Sequence, residues 1–123
     1  MESILTSVKK MLGIAEDYKH FDADLIIHIN SVFSVLTQMG VGPAEGFSIQ
    51  DENTEWSDFM NDEPKINFVR SYMYLRVRML FDPPLSSAVI ESINNTISEL
   101  EWRLNSEADY KDNIKDKEKI QNE

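Results

Sequence analysis

The sequence predicts an all-α fold: a small bundle of about four helices, with a long acidic loop and a flexible charged C-terminal tail. Three observations lead there. The stretch Pro64–Pro84, PKINFVRSYMYLRVRMLFDPP, opens on one proline, closes on two and has none between. Proline suits the first turn of a helix and blocks one further in, so the two ends mark a start and a stop. Inside it, Ile66, Val69, Met73, Val77 and Leu80 form one apolar row, and Phe68, Tyr72, Leu75 and Met79 form another beside it. Two adjoining rows make a wide apolar face, as on a central helix packed on more than one side. Second, Ile90, Ile93, Ile97, Leu100 and Leu104 recur every three or four residues, a seam for packing along a neighbouring helix. Third, no convincing strand pairing is present.

The elements follow in order. Ile4, Leu5, Val8, Met11 and Leu12 make a short helical stripe that Gly13 stops, so helix 1 spans about residues 3 to 12. Lys9 and Lys10 lie in its last turn, where cations favour the helix dipole. Asp22 reads as an N-cap, with Phe21 and Ile26 as a hydrophobic staple. Helix 2 continues through Leu25, Ile29, Phe33 and Leu36. Its other face, Asn30, Ser31, Ser34, Thr37 and Gln38, is uncharged; such a face lies either in solvent or against another subunit. Gly40, Gly42, Pro43 and Gly46 break this helix.

The loop that follows is long for a small domain. Phe47–Ser48–Ile49 reads as extended, and Trp56, Phe59 and Met60 fall at helical spacing in a short docked helix between Thr54 and Asn61. After the central helix, Asp82–Pro83–Pro84 forces a turn, and Ser86 or Ser87 caps a last helix ending near Glu107. The expected core is Leu25, Ile29, Phe33, Leu36, Val69, Met73, Leu80, Ile93, Ile97 and Leu100. One domain, residues 1–108, is expected to carry a charged tail, 109–123, with too little apolar content to fold.

The chain has no cysteine, so neither a disulfide framework nor a thiolate metal site is possible. No apolar run reaches membrane-spanning length. The formal net charge of -10 disfavours binding to free nucleic acid. Asp51, Glu52, Glu55, Asp58, Asp62 and Glu63 lie in a stretch with no base and no glycine, unlike a calcium loop, and read as a solvated acidic segment. His20 and His28 share no zinc-ligand spacing. No serine sits in a nucleophile elbow, and no glycine-rich phosphate loop is present. No catalytic, cofactor-binding or metal site is read.

The candidate functional residues are therefore those of an interface. Arg70, Arg76 and Arg78, three of the four arginines, share the central helix. They pair either with the acidic segment of their own chain or with acids of another subunit, since the planar guanidinium meets carboxylates bidentately. Trp102 falls on the side of the last helix away from its seam, either under the loop or as an interface anchor.

This layout resembles the bacteriophage head–tail connector proteins, the small helical adaptor or head-completion family. The resemblance rests on VKKMLGI in the first helix, FDADLIIHINSVFSVLTQMGVGP in the second, a W-x-x-F in the loop and YLRVRMLFDPP closing the third, and covers about residues 3 to 107. It implies a structural protein without enzymatic activity. Copies would form a ring under the portal protein, extend the DNA channel and dock the next head-completion or tail protein. DNA would pass without sequence-specific binding. The place implied is the head–tail junction of the virion, and the host cytoplasm during assembly. The alternative is a small DNA-packaging or regulatory DNA-binding protein of the small-terminase kind, which needs an exposed basic recognition helix.

Overall fold

In the computed structural model, which describes residues 2–121 and side chains from Glu2 to Ser106, the chain folds into α1 (Ile4–Met11), α2 (Asp22–Gln38), α3 (Trp56–Phe59), α4 (Lys65–Phe81) and α5 (Ser87–Gln121). Among the described residues there is no strand, only an isolated antiparallel bridge between Ser3 and Glu55. The fold class is all-α, as expected. The fifth helix is the short aromatic one, α3.

The central helix is α4. Its first row, Ile66, Val69, Met73 and Val77, is buried, and so is Tyr72 of the second. Helix α2 packs along α4 with Leu25, Ile29, Phe33 and Leu36 wholly buried. It runs antiparallel to α4: Phe21 meets Phe81 edge-on at 5.2 Å, while further along Phe33 lies near Trp56, over which Arg70 stacks. Helix α5 covers the second row, with Ile97, Leu100 and Leu104 buried and Arg103 over the Phe68 ring at 5.8 Å. Helix α1 lies against both α2 and α4 through Ile4, Leu5 and Val8.

Local chemistry sets the boundaries. The Ser3 hydroxyl accepts from Thr6 N at 3.3 Å to cap α1. Gly40, with φ of 79°, ends α2 because the closing turn needs a left-handed residue. Val41 N–H then donates to Leu36 O at 2.9 Å, and the Val41 side chain is buried. Ser86 caps α5, its hydroxyl 3.4 Å from Val89 N.

Four expectations are corrected. Leu80 is half exposed and not core, because in the last turn of α4 it is Phe81, the next residue, that packs against Phe21 of α2. Ile93 is only partly buried, at the margin of the α5 seam. Asp22 is already helical, with Phe21 at the cap position and no side-chain cap bond, because the Asp22 carboxylate is taken by Lys9 instead. Helix α5 does not end near Glu107: its backbone stays helical to Gln121, and no glycine or proline follows Pro84 to stop it. The side chains of the expected flexible tail, 109–123, lie outside those described.

The long loop is pinned at several points. Asn30 of α2 uses both ends of its amide on one residue, donating to Ile49 O at 2.9 Å and accepting from Ile49 N at 2.8 Å. Ile4 N–H donates to Thr54 O at 3.0 Å, and Trp56 N–H to Glu2 O at 3.2 Å. Phe47, Phe33 and Phe59 form an aromatic cluster with centroids about 5 Å apart. Gly42 sits against it, with φ of 87° and the Phe59 ring where a Cβ would stand.

Candidate subunit and partner interface

The arginines of α4 separate into two groups. Arg70 is answered inside the chain, but not by the acidic segment: its Nη2 donates to Glu2 Oε2 at 2.8 Å and its guanidinium stacks over the Trp56 ring at 5.6 Å. Glu2 also accepts from Lys10 Nζ at 3.2 Å. The Lys10 hydrogen bond, aided by Arg70 and opposed by partial burial, holds the Glu2 carboxyl below the usual carboxylate range. Trp56 is itself core, buried and donating from Nε1 to Ser7 Oγ at 2.8 Å.

Arg76 and Arg78 have no carboxylate partner among the described residues. Arg78 Nη1 donates to the Tyr74 hydroxyl at 3.1 Å, and Arg76 lies over the Tyr72 ring at 5.7 Å. The Nε of each is buried with no hydrogen-bond partner, and so is the Tyr72 hydroxyl. Burial pushes the Tyr72 hydroxyl up from its usual pKa, against the pull of Arg76 and with a push from Glu101. These two half-buried cations are unusual in a chain with 22 acids and 12 bases.

The acidic segment is locally organised. Asp51 accepts from Asn53 N at 2.9 Å in a tight turn. Glu52 pairs with Lys19 at 2.7 Å between two exposed side chains, a contact of little stabilising value. Glu55 stands at the cap position of α3, and its N–H donates to Asp58 Oδ2 at 2.8 Å. Asp62 is partly buried and Glu63 exposed. Trp102 is not covered by the loop: it is 69% exposed on the outer side of α5.

Three features escaped the sequence reading. Lys9 is buried, and its phase, four residues after Leu5 and three before Leu12, was the signal: it places Lys9 on the apolar stripe of α1. Ile27 is 66% exposed on α2. Leu12, Ile14, Phe21, Phe81 and Asp82 line an open groove of about 390 Å³ at the end of the bundle where α2 begins and α4 ends. No helix among the described residues is long and apolar enough to cross a membrane.

Among the described residues the helical domain carries exposed apolar side chains and two arginines that meet no carboxylate. Residues 4–111 match the family of phage connector proteins. The chain belongs to that family. The match runs from the first residue of α1 well into α5, so it takes in every packed element described above. Among curated proteins and among solved structures nothing matches. Membership gives this connector a structural role in a phage particle.

Proposed function

We propose that copies of this connector assemble as a ring beneath the portal protein. The ring extends the DNA channel and presents a docking surface to the next head-completion or tail protein. The observation that carries this reading is the family match across the whole packed domain. Arg76 and Arg78 support it as cations that meet no carboxylate among the described residues, available to acids of a neighbour's Asp51–Glu63 segment or of a partner. The formal charge of -10 suits a channel along which DNA slides without sticking. The DNA-binding alternative gains nothing from the fold: the arginine-bearing helix is the central one, packed on by α1, α2 and α5, and not a helix free to enter a groove.

Electron microscopy of the purified protein mixed with its portal protein tests the assignment. A ring of additional density on the portal is expected. Failure of the two proteins to associate at any concentration would overturn it.

A further inference from the structure

Met11, at the end of α1, is 50% exposed and shares a crevice with Arg70 and Tyr74 of α4. Arg78 donates to the Tyr74 hydroxyl, and Lys10 precedes Met11 in the chain. An apolar knob is thus ringed by three cations, Lys10, Arg70 and Arg78. Among the described residues the one carboxylate they meet is Glu2, which Lys10 and Arg70 share. Helix α4 itself contains no acid; Asp62 and Glu63 come before its first turn and Asp82 after its last. Glu55 and Asp58, beside Trp56, are engaged in capping α3. Arg76, two residues from Arg78 and so about 200° away round α4, belongs to another side.

The other flank of α1 has the complementary shape and charge. Leu5 and Ile26 line an open cleft of about 340 Å³ together with Asp22, Asp51 and Glu52. Leu5 is buried and Ile26 partly so, whereas Asp51 and Glu52 are exposed, so the floor is apolar and the rim acidic. Lys19 is on the rim too, paired with Glu52 at 2.7 Å, and Glu16 lies near enough to act on its charge. Counting Lys9 against Asp22, four acids meet two lysines there. The corner keeps a surplus of negative charge, and the knob a surplus of positive charge. Six residues separate Leu5 from Met11, which sets them about 120° apart round α1. Helix α1 therefore stands between the knob and the cleft of one subunit.

From this we infer that Met11 of one copy seats in the Leu5–Ile26 cleft of the next, with Lys10, Arg70 and Arg78 against the rim formed by Asp51 and Glu52. The inference rests on the ring reading and names the surfaces that make the ring. Charge selects the occupant: two copies that each carry -10 repel, and this is a contact in which bases face acids. Methionine suits the knob, since its flexible unbranched side chain fills irregular apolar space. A knob and a cleft on different sides make a front-to-back contact, which repeats by rotation and closes into a ring. One side chain in one cleft buries far less than the roughly 800 Å² per partner of a standard interface. An isolated pair is thus short-lived, and closure of the ring on the portal must add to it.

The absence of cysteine makes the test direct. Gln50 is exposed and lines the cleft, so Met11→Cys and Gln50→Cys are prepared singly and together. Their helical content and melting temperature are checked, and each is treated with a short bis-maleimide with and without portal rings. A mixture of the two single variants is expected to give a cross-linked dimer, the double variant a ladder, and each single variant alone neither. Adding Arg78→Glu to the Met11→Cys chain should lower the mixed yield about five-fold, the worth of one exposed ion pair, and Asp51→Lys in the Gln50→Cys chain should restore it. If wild-type rings are imaged on the portal but no mixed cross-link forms, or charge reversal leaves its yield unchanged, the surfaces assigned here are wrong and the ring reading stands. If Met11→Cys alone dimerises as well as the mixture, the contact is two-fold and the inference falls. If neither rings nor cross-links appear, both fall. A ladder without portal association keeps the inference and removes the portal.

Discussion

The Lys9 ammonium is 1% exposed and lies 2.9 Å from Asp22 Oδ1, across the linker between α1 and α2. It also donates to the carbonyls of Glu16 at 2.9 Å and Tyr18 at 2.7 Å. The carbonyls take its better-directed protons, and the carboxylate balances its charge without a well-aimed hydrogen bond. One side chain thereby fastens the whole linker to α1. Replacing Lys9 with Met keeps the stem but strands two carbonyls and a partly buried carboxylate. The expected loss is about 3 kcal/mol, with Asp22→Asn milder because Asp22 is a fifth exposed. Urea unfolding measures it; an unchanged midpoint for Lys9→Met would show that the linker does not depend on this ammonium.

Gly42→Ala is expected to destabilise by about 2–4 kcal/mol, since it combines a left-handed backbone with a methyl driven into the Phe59 ring. Gly46→Ala shares the positive φ but has open space around the new methyl, so it should cost less. Thermal melts of the pair separate strain from overpacking, and equal losses would contradict the packing account.

Within α4, Met73→Asp should abolish folding, because an unpaired charge in a fully buried site costs several kcal/mol against a total stability of about 5–15 kcal/mol. Leu80→Ser, two places on in the same row and half exposed, should change stability by about 1 kcal/mol or less. Circular dichroism of both variants checks the pair. A Met73→Asp protein that melts like wild type would place Met73 outside the core.

Charge reversal tests the two arginines that meet no carboxylate among the described residues. Arg76→Glu with Arg78→Glu should block portal-bound assembly, while a single reversal should weaken it only modestly, as exposed ion pairs are each worth about 0–1 kcal/mol. Helicity of the double variant has to be retained for the result to count. Wild-type ring yield from a folded double variant would remove these two residues from any interface.

The depressed pKa of Glu2 makes a prediction about acid. Its stabilising contribution is complete above the unfolded carboxyl value, about pH 4.3, and is lost as pH falls through the lower folded value. Glu2→Gln should therefore lower stability near neutral pH and flatten the acid side of the stability profile. A denaturant midpoint with the same acid dependence in both proteins would exclude Glu2 as a contributor.

Periodicity alone determined the helices that carry the fold. The two rows of α4 and the α5 seam are statements about repeat length, and repeat length is local. The stop at Gly40 and the cap at Ser86 were legible for the same reason: each acts within a few residues of itself. Tertiary structure decided everything that depends on where a row runs out of cover or on which partner lies across the chain. Leu80 keeps the phase of Val77 yet stands half exposed, because phase does not say that Phe81 beside it takes the contact with Phe21. Asp22 has the chemistry of a cap, but Lys9 reaches it first. Arg70 could have met six acids in the loop, and instead meets Glu2, sixty-eight residues away. Short-range sterics are written residue by residue, whereas the choice among chemically equivalent long-range partners is made by the packing that brings one of them within reach.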